Sequence, residues 1–389
     1  MRSYWDTTAW QAYDVVVIGG GIIGISTAIS CAERHPDHRI VVLERGHIPF
    51  GATTRNAGFA CFGSLSEIAH DIDLMGIDAA HDLVRMRLDG LRMLMQRCGA
   101  DDIAYRNDGG SEVFLEDHPA LARIDDVNAI LRDVLNQNAF HERNDLRAAY
   151  GLSHDVVALI HTSHEGTLHS GKMLRRLWKL AAERGVEIRT GTTVTSITSD
   201  YSSVRIHCES VQQTIDIRCS HVVVATNAMI PSLVRSSAIP TILPGRGQVL
   251  VTEPIPGLSL RGSFHMDEGY YYFRELDGRV LVGGGRNIDI DGEATLSHDT
   301  TQRIQDVLEH VLRNVILPHH PSINIEHRWA GTMAFTESKQ PVVAVAEPNV
   351  IVAFGCNGMG IALGSALGDL CADLLDQQKW AHHQLVTRP

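Results

Sequence analysis

The chain contains no C-x-x-C pair, no H-E-x-x-H motif and no apolar run of about 18 residues. Its cysteines, Cys31, Cys61, Cys98, Cys208, Cys219, Cys356 and Cys371, are odd in number and widely spaced. That pattern argues against a disulfide framework and suits a reducing compartment, so a cytoplasmic location is expected. Histidine is abundant, but His161, His164 and His169 have no carboxylate at ligand spacing, and no metal is expected. Met1 to Asp14 has neither a basic segment nor an apolar core, so no secretory signal is read there. Basic residues are outnumbered, 34 Lys and Arg against 46 Asp and Glu, for a net charge of −12. A nucleic-acid or anionic-membrane partner calls for the opposite balance. No internal repeat or low-complexity tract interrupts the 389 residues, a length that suits two or three domain-sized masses.

Glycine, by contrast, is placed to a purpose. Val15-Val16-Val17-Ile18 reads as a short buried strand and Ile22 to Arg34 as a helix rich in small residues. Between them runs Gly19-x-Gly21-x-x-Gly24. Gly19 permits a tight turn, Gly21 lets a pyrophosphate approach the backbone, and Gly24 lets the helix pack on the sheet. The helix start at Ile22 and Ile23 would turn free N–H groups and a positive dipole end toward the phosphates. A second buried strand over Arg39 to Glu44 completes a βαβ unit. Glu44, twenty residues after Gly24, is positioned to accept hydrogen bonds from ribose hydroxyls. These features together predict a dinucleotide-binding unit.

Further along, Gly46 to Gly63 reads as a structured loop that enters a helix near Asn56. Helices are expected over Ile77–Cys98, Ala120–Tyr150, Gly171–Arg184 and Thr301–Leu317, the last stopped by Pro318. Val204–His207 and Thr214–Ile217 read as a hairpin, and His221–Ala225 as a separate buried strand. From Pro244 to Ile290 the pattern is β, with a hairpin signal at Asp277-Gly278. Gly283-Gly284-Gly285 has no helical pattern after it and reads as a strand end packed against something close. A last buried strand, Val350–Phe354, leads through a second glycine turn, Gly355-Cys356-Asn357-Gly358-Met359-Gly360, into a C-terminal helix. The N–H groups at its start, around Gly360 and Ile361, would face an anion. The expected fold is α/β: a discontinuous Rossmann-like unit over residues 1–90, 151–240 and 325–389, with an inserted α+β, mainly antiparallel unit over 91–150 and 241–324.

The segments DVVVIGGGIIGISTA, VVLERG, GATTRNAGFA, VVVATNA and VIVAFGCNGMGIALGSALGDLCADLL resemble the D-amino-acid-oxidase-like (DAO) family of FAD-dependent oxidoreductases. That group includes glycine oxidase, sarcosine oxidase, D-amino-acid dehydrogenase and γ-glutamylputrescine oxidase, and the likeness spans nearly the whole chain. It implies FAD as cofactor and oxidation of the C–N bond of a small amine or amino acid. The resemblance places Glu44 and Arg45 by the adenosine ribose, and Thr53, Thr54, Asn56, Ala57 and Gly58 in a flavin-contacting segment. It sets Val194 at the adenine, Ala225 and Thr226 in an Ala-Thr-Gly turn whose glycine is here Asn227, and Gly355, Asn357, Gly358, Met359, Gly360 and Ile361 at the flavin.

Amino-acid members often hold the substrate carboxylate with an Arg three residues before the Thr of T-x-D-x-x-P. Here the segment reads Thr336-Glu337-Ser338-Lys339-Gln340-Pro341, and Met333 stands where that Arg would be. Relatives with covalent flavin carry their Cys in this same segment, so noncovalent FAD is expected. The substrate-orienting candidates that remain are Tyr270, Tyr272 and Arg274, which share one face of a strand, and Arg328, with Arg55 behind them. The implied partners are a small amine or amino acid and an oxygen or quinone-type acceptor. The same fold also serves two alternative readings, a 2-hydroxy-acid dehydrogenase and a non-catalytic FAD-binding subunit.

Overall fold

A computed structural model describes residues 3–211 and 213–386. Five strands run parallel in the order Glu187–Arg189, Ile40–Leu43, Ala12–Ile18, Thr214–Val224 and Val350–Phe354, and Val342–Glu347 closes the edge antiparallel. The β-branched residues that recommend Ala12–Ile18 as a strand are buried on both faces, as a parallel sheet covered by helices requires. Helix Ile22–Arg34 lies against helix Gly360–Val386. Gly364 and Gly368 of the latter face Ile22 and Ser26 so closely that added Cβ atoms would meet them. The expected hairpin and the expected strand His221–Ala225 are one element. Thr214–Val224 pairs antiparallel with Val204–Glu209 through its first half and parallel with Ala12–Ile18 through its second.

The second sheet has eight strands, ordered Ile325–Phe335, Leu243–Thr252, Arg279–Gly284, Tyr271–Leu276, Ser263–Met266, Gly110–Phe114, Ala158–Thr162 and His141–Glu142. Only the Ser263–Met266 and Gly110–Phe114 pair is parallel. Ala158–Thr162 and Ile325–Phe335 fall in the ranges read from sequence as nucleotide unit, yet they hydrogen-bond into this sheet. Short apolar strands carry no mark of which sheet they join, and pairing across the fold decides it. Asp277 and Gly278, with φ of 50° and 75°, make the tight hairpin between Tyr271–Leu276 and Arg279–Gly284.

Three helical expectations need correction. The region Ala120–Tyr150 is broken. A helix over Ile124–Leu135 stops where Asn136 turns left-handed at φ 60°, and the chain then runs through a two-residue strand to a short helix, Leu146–Ala149. No helix starts near Asn56. Ala52–Thr54 forms a single 3-10 turn, and the next helix, Leu65–Met75, begins at Ser64 with a reciprocal cap from Glu67. Helix Gln302–Val311 passes into a π turn over Leu312–Ile316 before Pro318. Among the described residues no helix is long and apolar enough to cross a membrane.

Beneath the second sheet, Arg246 makes a two-pronged ion pair with Glu293, both bonds 2.7 Å long and both side chains buried, and Gln248 adds a 2.9 Å bond to the same carboxylate. Removing one partner strands the other charge in the interior. The expected outcome for Glu293→Ala is a loss of about 3–5 kcal/mol, read as a lowered urea midpoint with an unchanged slope.

Candidate active site

The C-terminal ends of the parallel strands converge on the turn Gly19–Gly21. Gly19 donates to Leu43 O at 2.8 Å, and Ala225 donates to Ile18 O at 2.9 Å. A Cβ at Gly24 would run into the carbonyl of Gly19, and one at Gly19 would lie 2.6 Å from Ala225 O. The helix therefore starts directly on the strand end, with Gly21 at the N-cap and Thr53 Oγ1 accepting from Ile22 N at 3.0 Å. Glu44 accepts from Gly20 N at 2.9 Å and from Gly46 N at 2.8 Å, while Trp178 Nε1 donates to Gly20 O at 2.9 Å. Both hold the turn.

In front of it opens a cavity of about 540 Å³. Lining it are Gly19, Gly21, Ile22, Ile23, Glu44, Arg45, Thr53, Asn56, Ala57, Val194, Ala225, Thr226, Asn357, Gly358, Met359, Gly360 and Ile361. Four residues of the expected set lie behind the wall. Gly24 packs on Gly19, Gly58 on Leu168, and Gly355, at φ 78°, against Thr336 and Gln340, while Thr54 Oγ1 donates to Pro49 O at 2.9 Å. Asn56 organises its loop by donating to Ala52 O and Thr53 O and accepting from Gly58 N and Ser170 Oγ. Asn227, where the family has glycine, keeps a glycine-like φ of 56°. Its side chain donates to Thr332 O at 2.8 Å and accepts from Ala334 N at 2.9 Å, which ties this turn to the second sheet.

The opposite wall comes from the second sheet. Tyr270, Tyr272, Gly331, Met333 and Phe335 line it. Tyr272 presses on Gly283 so tightly that a Cβ there would enter its ring, which accounts for the glycine run. Burial pushes the Tyr272 phenol up to about 12 despite nearby Arg286. Arg274 and Arg328, both proposed from sequence as substrate ligands, do not line the cavity. The buried Arg274 guanidinium donates to the carbonyls of Ala57, Gly58 and Leu168, so it clamps the loop behind the wall. Arg328 points to the helix on the far face, where it meets Gln305 at 2.6 Å and Glu309 at 2.5 Å. Arg55 does reach the cavity, but Phe50 O and Ala330 O hold its donors.

The cation that sequence reasoning passed over is Arg286, which follows the glycine run. It lines the cavity between the rings of Phe335, 4.1 Å away, and Tyr270, 5.1 Å away. Its only signal in the sequence was its place just after a strand end built for close packing.

A buried polar knot closes one side of the chamber. His265 contacts Glu165 at 3.1 Å, and Ser66 N donates to Glu112 at 3.0 Å. Cys61, Glu165 and His265 bring potential ligand atoms within 4.8 Å of one another. Burial alone would lower the His265 pKa, but Glu165, with Glu67 and Glu112 close by, outweighs it and raises the value to about 9.

The knot stabilises the fold because the folded pKa of His265 exceeds its ordinary 6.5. That contribution is complete below pH 6.5 and is lost as pH rises through about 9. We expect the melting temperature to fall across this window, and expect His265→Gln to start lower and show a smaller fall.

A glycine-turn cradle that shares one cavity with an aromatic chamber on an antiparallel sheet defines a dinucleotide-dependent oxidoreductase. The family model for DAO, the FAD dependent oxidoreductases, matches residues 14–374, and the chain belongs to this family. It is 26% identical over 378 residues to the γ-glutamylputrescine oxidoreductase of Escherichia coli (strain K12), covering 93% of this chain and 83% of that protein. It is 24% identical over 381 residues to a probable oxidoreductase of Haemophilus influenzae, covering 93% and 82%. Its fold matches that of the L-proline dehydrogenase from P. horikoshii with a TM-score of 0.74 at 18% identity, covering 94% of each chain.

The protein is an FAD-dependent oxidoreductase, and its own residues fit that cofactor. The glycine at the helix start lets a pyrophosphate approach the backbone, and a Cβ at Gly21 would narrow that approach, lying 3.0 Å from Thr53 Oγ1. Thr226 Oγ1 is buried at the cavity with no protein partner among the described residues.

Proposed function

We propose that the chain oxidises the C–N bond of a small amine or amino acid. The observation that carries this reading is the continuity of the nucleotide cradle with a chamber walled by Tyr270, Tyr272, Met333 and Phe335. Bound FAD supplies a two-electron acceptor for the hydride of the carbon that bears nitrogen. The nitrogen gives up a proton, and water converts the resulting imine to a carbonyl compound and a free amine or ammonia. The protein's share is to exclude water with the aromatic wall and to hold the reacting carbon in place. Oxygen or a quinone takes the electrons in the second half-reaction. An amine substrate of one relative, named in γ-glutamylputrescine oxidoreductase, and an amino-acid substrate of another, named in L-proline dehydrogenase, support the substrate class.

FAD is held without a covalent bond in this reading. Met333 occupies the segment in which covalent relatives carry cysteine, and cavity-lining Cys61 contacts Met359 Sδ at 3.5 Å. Cys356, half-buried at the cavity, has its thiol pushed up to about 12 by desolvation, so it is a poor nucleophile. The free cysteines, six of them buried, fit a cytoplasmic setting.

Anaerobic mixing of the yellow holoenzyme with panels of amines, amino acids and 2-hydroxy acids tests the function. Bleaching of the flavin band by members of the first two panels is expected, and bleaching by hydroxy acids alone would overturn the reading. Acid precipitation should leave the colour in the supernatant.

A further inference from the structure

Five Arg and Lys side chains line the cavity: Arg45, Arg55, Arg87, Arg286 and Lys339. Arg87 and Lys339 both pair with Asp71, at 3.5 Å and 3.3 Å. Arg55 is held by two carbonyls, and Arg45 is exposed and stacks on Phe50 at the adenosine end. Arg286 differs from all of these. It is half-buried on the substrate side, and among the described residues its guanidinium has neither an ion pair nor a hydrogen bond.

Stacking explains how it stays in place. The guanidinium lies over both rings and, among the described residues, none of its N–H groups has a protein acceptor, so they fit the two oxygens of a carboxylate. Burial lowers the Arg286 pKa, which marks a cation in need of an anion, although arginine stays charged throughout. Its position supports the same conclusion. Phe335 lies two residues along the strand from Met333, so both share the face that looks into the chamber. The guanidinium missing at 333 is thus replaced by one that enters from a different strand end.

We propose that Arg286 anchors a carboxylate of the substrate, and that the protein acts on an amino acid rather than on a simple amine. This rests on the amine-oxidation reading above. Its test is a titration of holoenzyme with propionate and with the neutral isostere propionamide, followed by the flavin's visible absorption. Propionate should perturb the wild-type spectrum where propionamide does not. Arg286→Gln should retain its flavin yet bind propionate at least about tenfold more weakly, the scale of a lost charged hydrogen bond. Arg286→Lys should recover part of that loss. Equal propionate binding by wild type and Arg286→Gln, or no discrimination between the two probes, would overturn the assignment. The two claims separate cleanly. If simple amines bleach the flavin without carboxylate discrimination, amine oxidation stands and Arg286 falls. If propionate binds through Arg286 and no amine or amino acid bleaches the flavin, the anion site stands and amine oxidation falls.

Discussion

The contact between the carbonyl of Gly19 and the Cα of Gly24 governs the rest of the molecule. A side chain at position 24 would lift the helix from the strand end, and the N–H groups at Ile22 and Ile23 would no longer face the cavity at the depth where the strands terminate. Several independent groups hold this junction: the Glu44 carboxylate on Gly20 N, the Trp178 indole on Gly20 O, and Thr53 Oγ1, which accepts from Ile22 N at 3.0 Å. Each comes from a different part of the chain, so the turn is fixed before any ligand arrives. Preorganisation of this kind spares the cofactor the cost of ordering its own site.

The second constraint is how the two sheets are joined. Asn227 belongs to the turn after the first sheet's Thr214–Val224, and its amide bridges to Thr332 and Ala334 on the second sheet's edge strand. On the same strand Gly331 lets Arg55 approach, and Trp329 Nε1 donates to Arg55 O at 3.0 Å. Arg274 reaches from the second sheet to the loop carbonyls of Ala57 and Gly58. The cofactor wall and the substrate wall are thus cross-linked by side chains at and behind the cavity's edge. That explains how a chain with a discontinuous nucleotide unit keeps both halves of its site in register.

The nucleotide end was legible from residues alone because its requirement is local. A strand, three glycines at fixed spacing, a small-residue helix and a carboxylate at the next strand end all fall within Val15 to Glu44, and each is needed for a backbone reason. The substrate end was not legible, because arginines there are distinguished only by what they meet across the fold. Arg274 alternates correctly with Tyr270 and Tyr272, but the carbonyls of Ala57, Gly58 and Leu168 lie at the end of its reach and take its guanidinium. Arg328 looks outward to Glu309. Arg286 had no pattern to recommend it, and its role follows from Gly283 and Gly284, which let Tyr272 and the chain at Tyr270 close in beside it. Sequence periodicity shows which face a side chain takes, but not whether its charge is already satisfied there.

The same distinction resolves an apparent conflict between the protein's overall charge and the chamber's local charge. A net charge of −12 suggests that an anion would be repelled. Over distances beyond about 8 Å at physiological ionic strength, however, surface charges are largely screened. Inside the chamber the acids are mostly committed. Asp71 is shared by Arg87 and Lys339, Glu268 faces His70 at 3.2 Å, and Glu67, which caps its helix, has its pKa raised by burial toward the neutral form. What a ligand meets is therefore set by the charges left without a partner after desolvation, and those are not the ones that dominate the formal count.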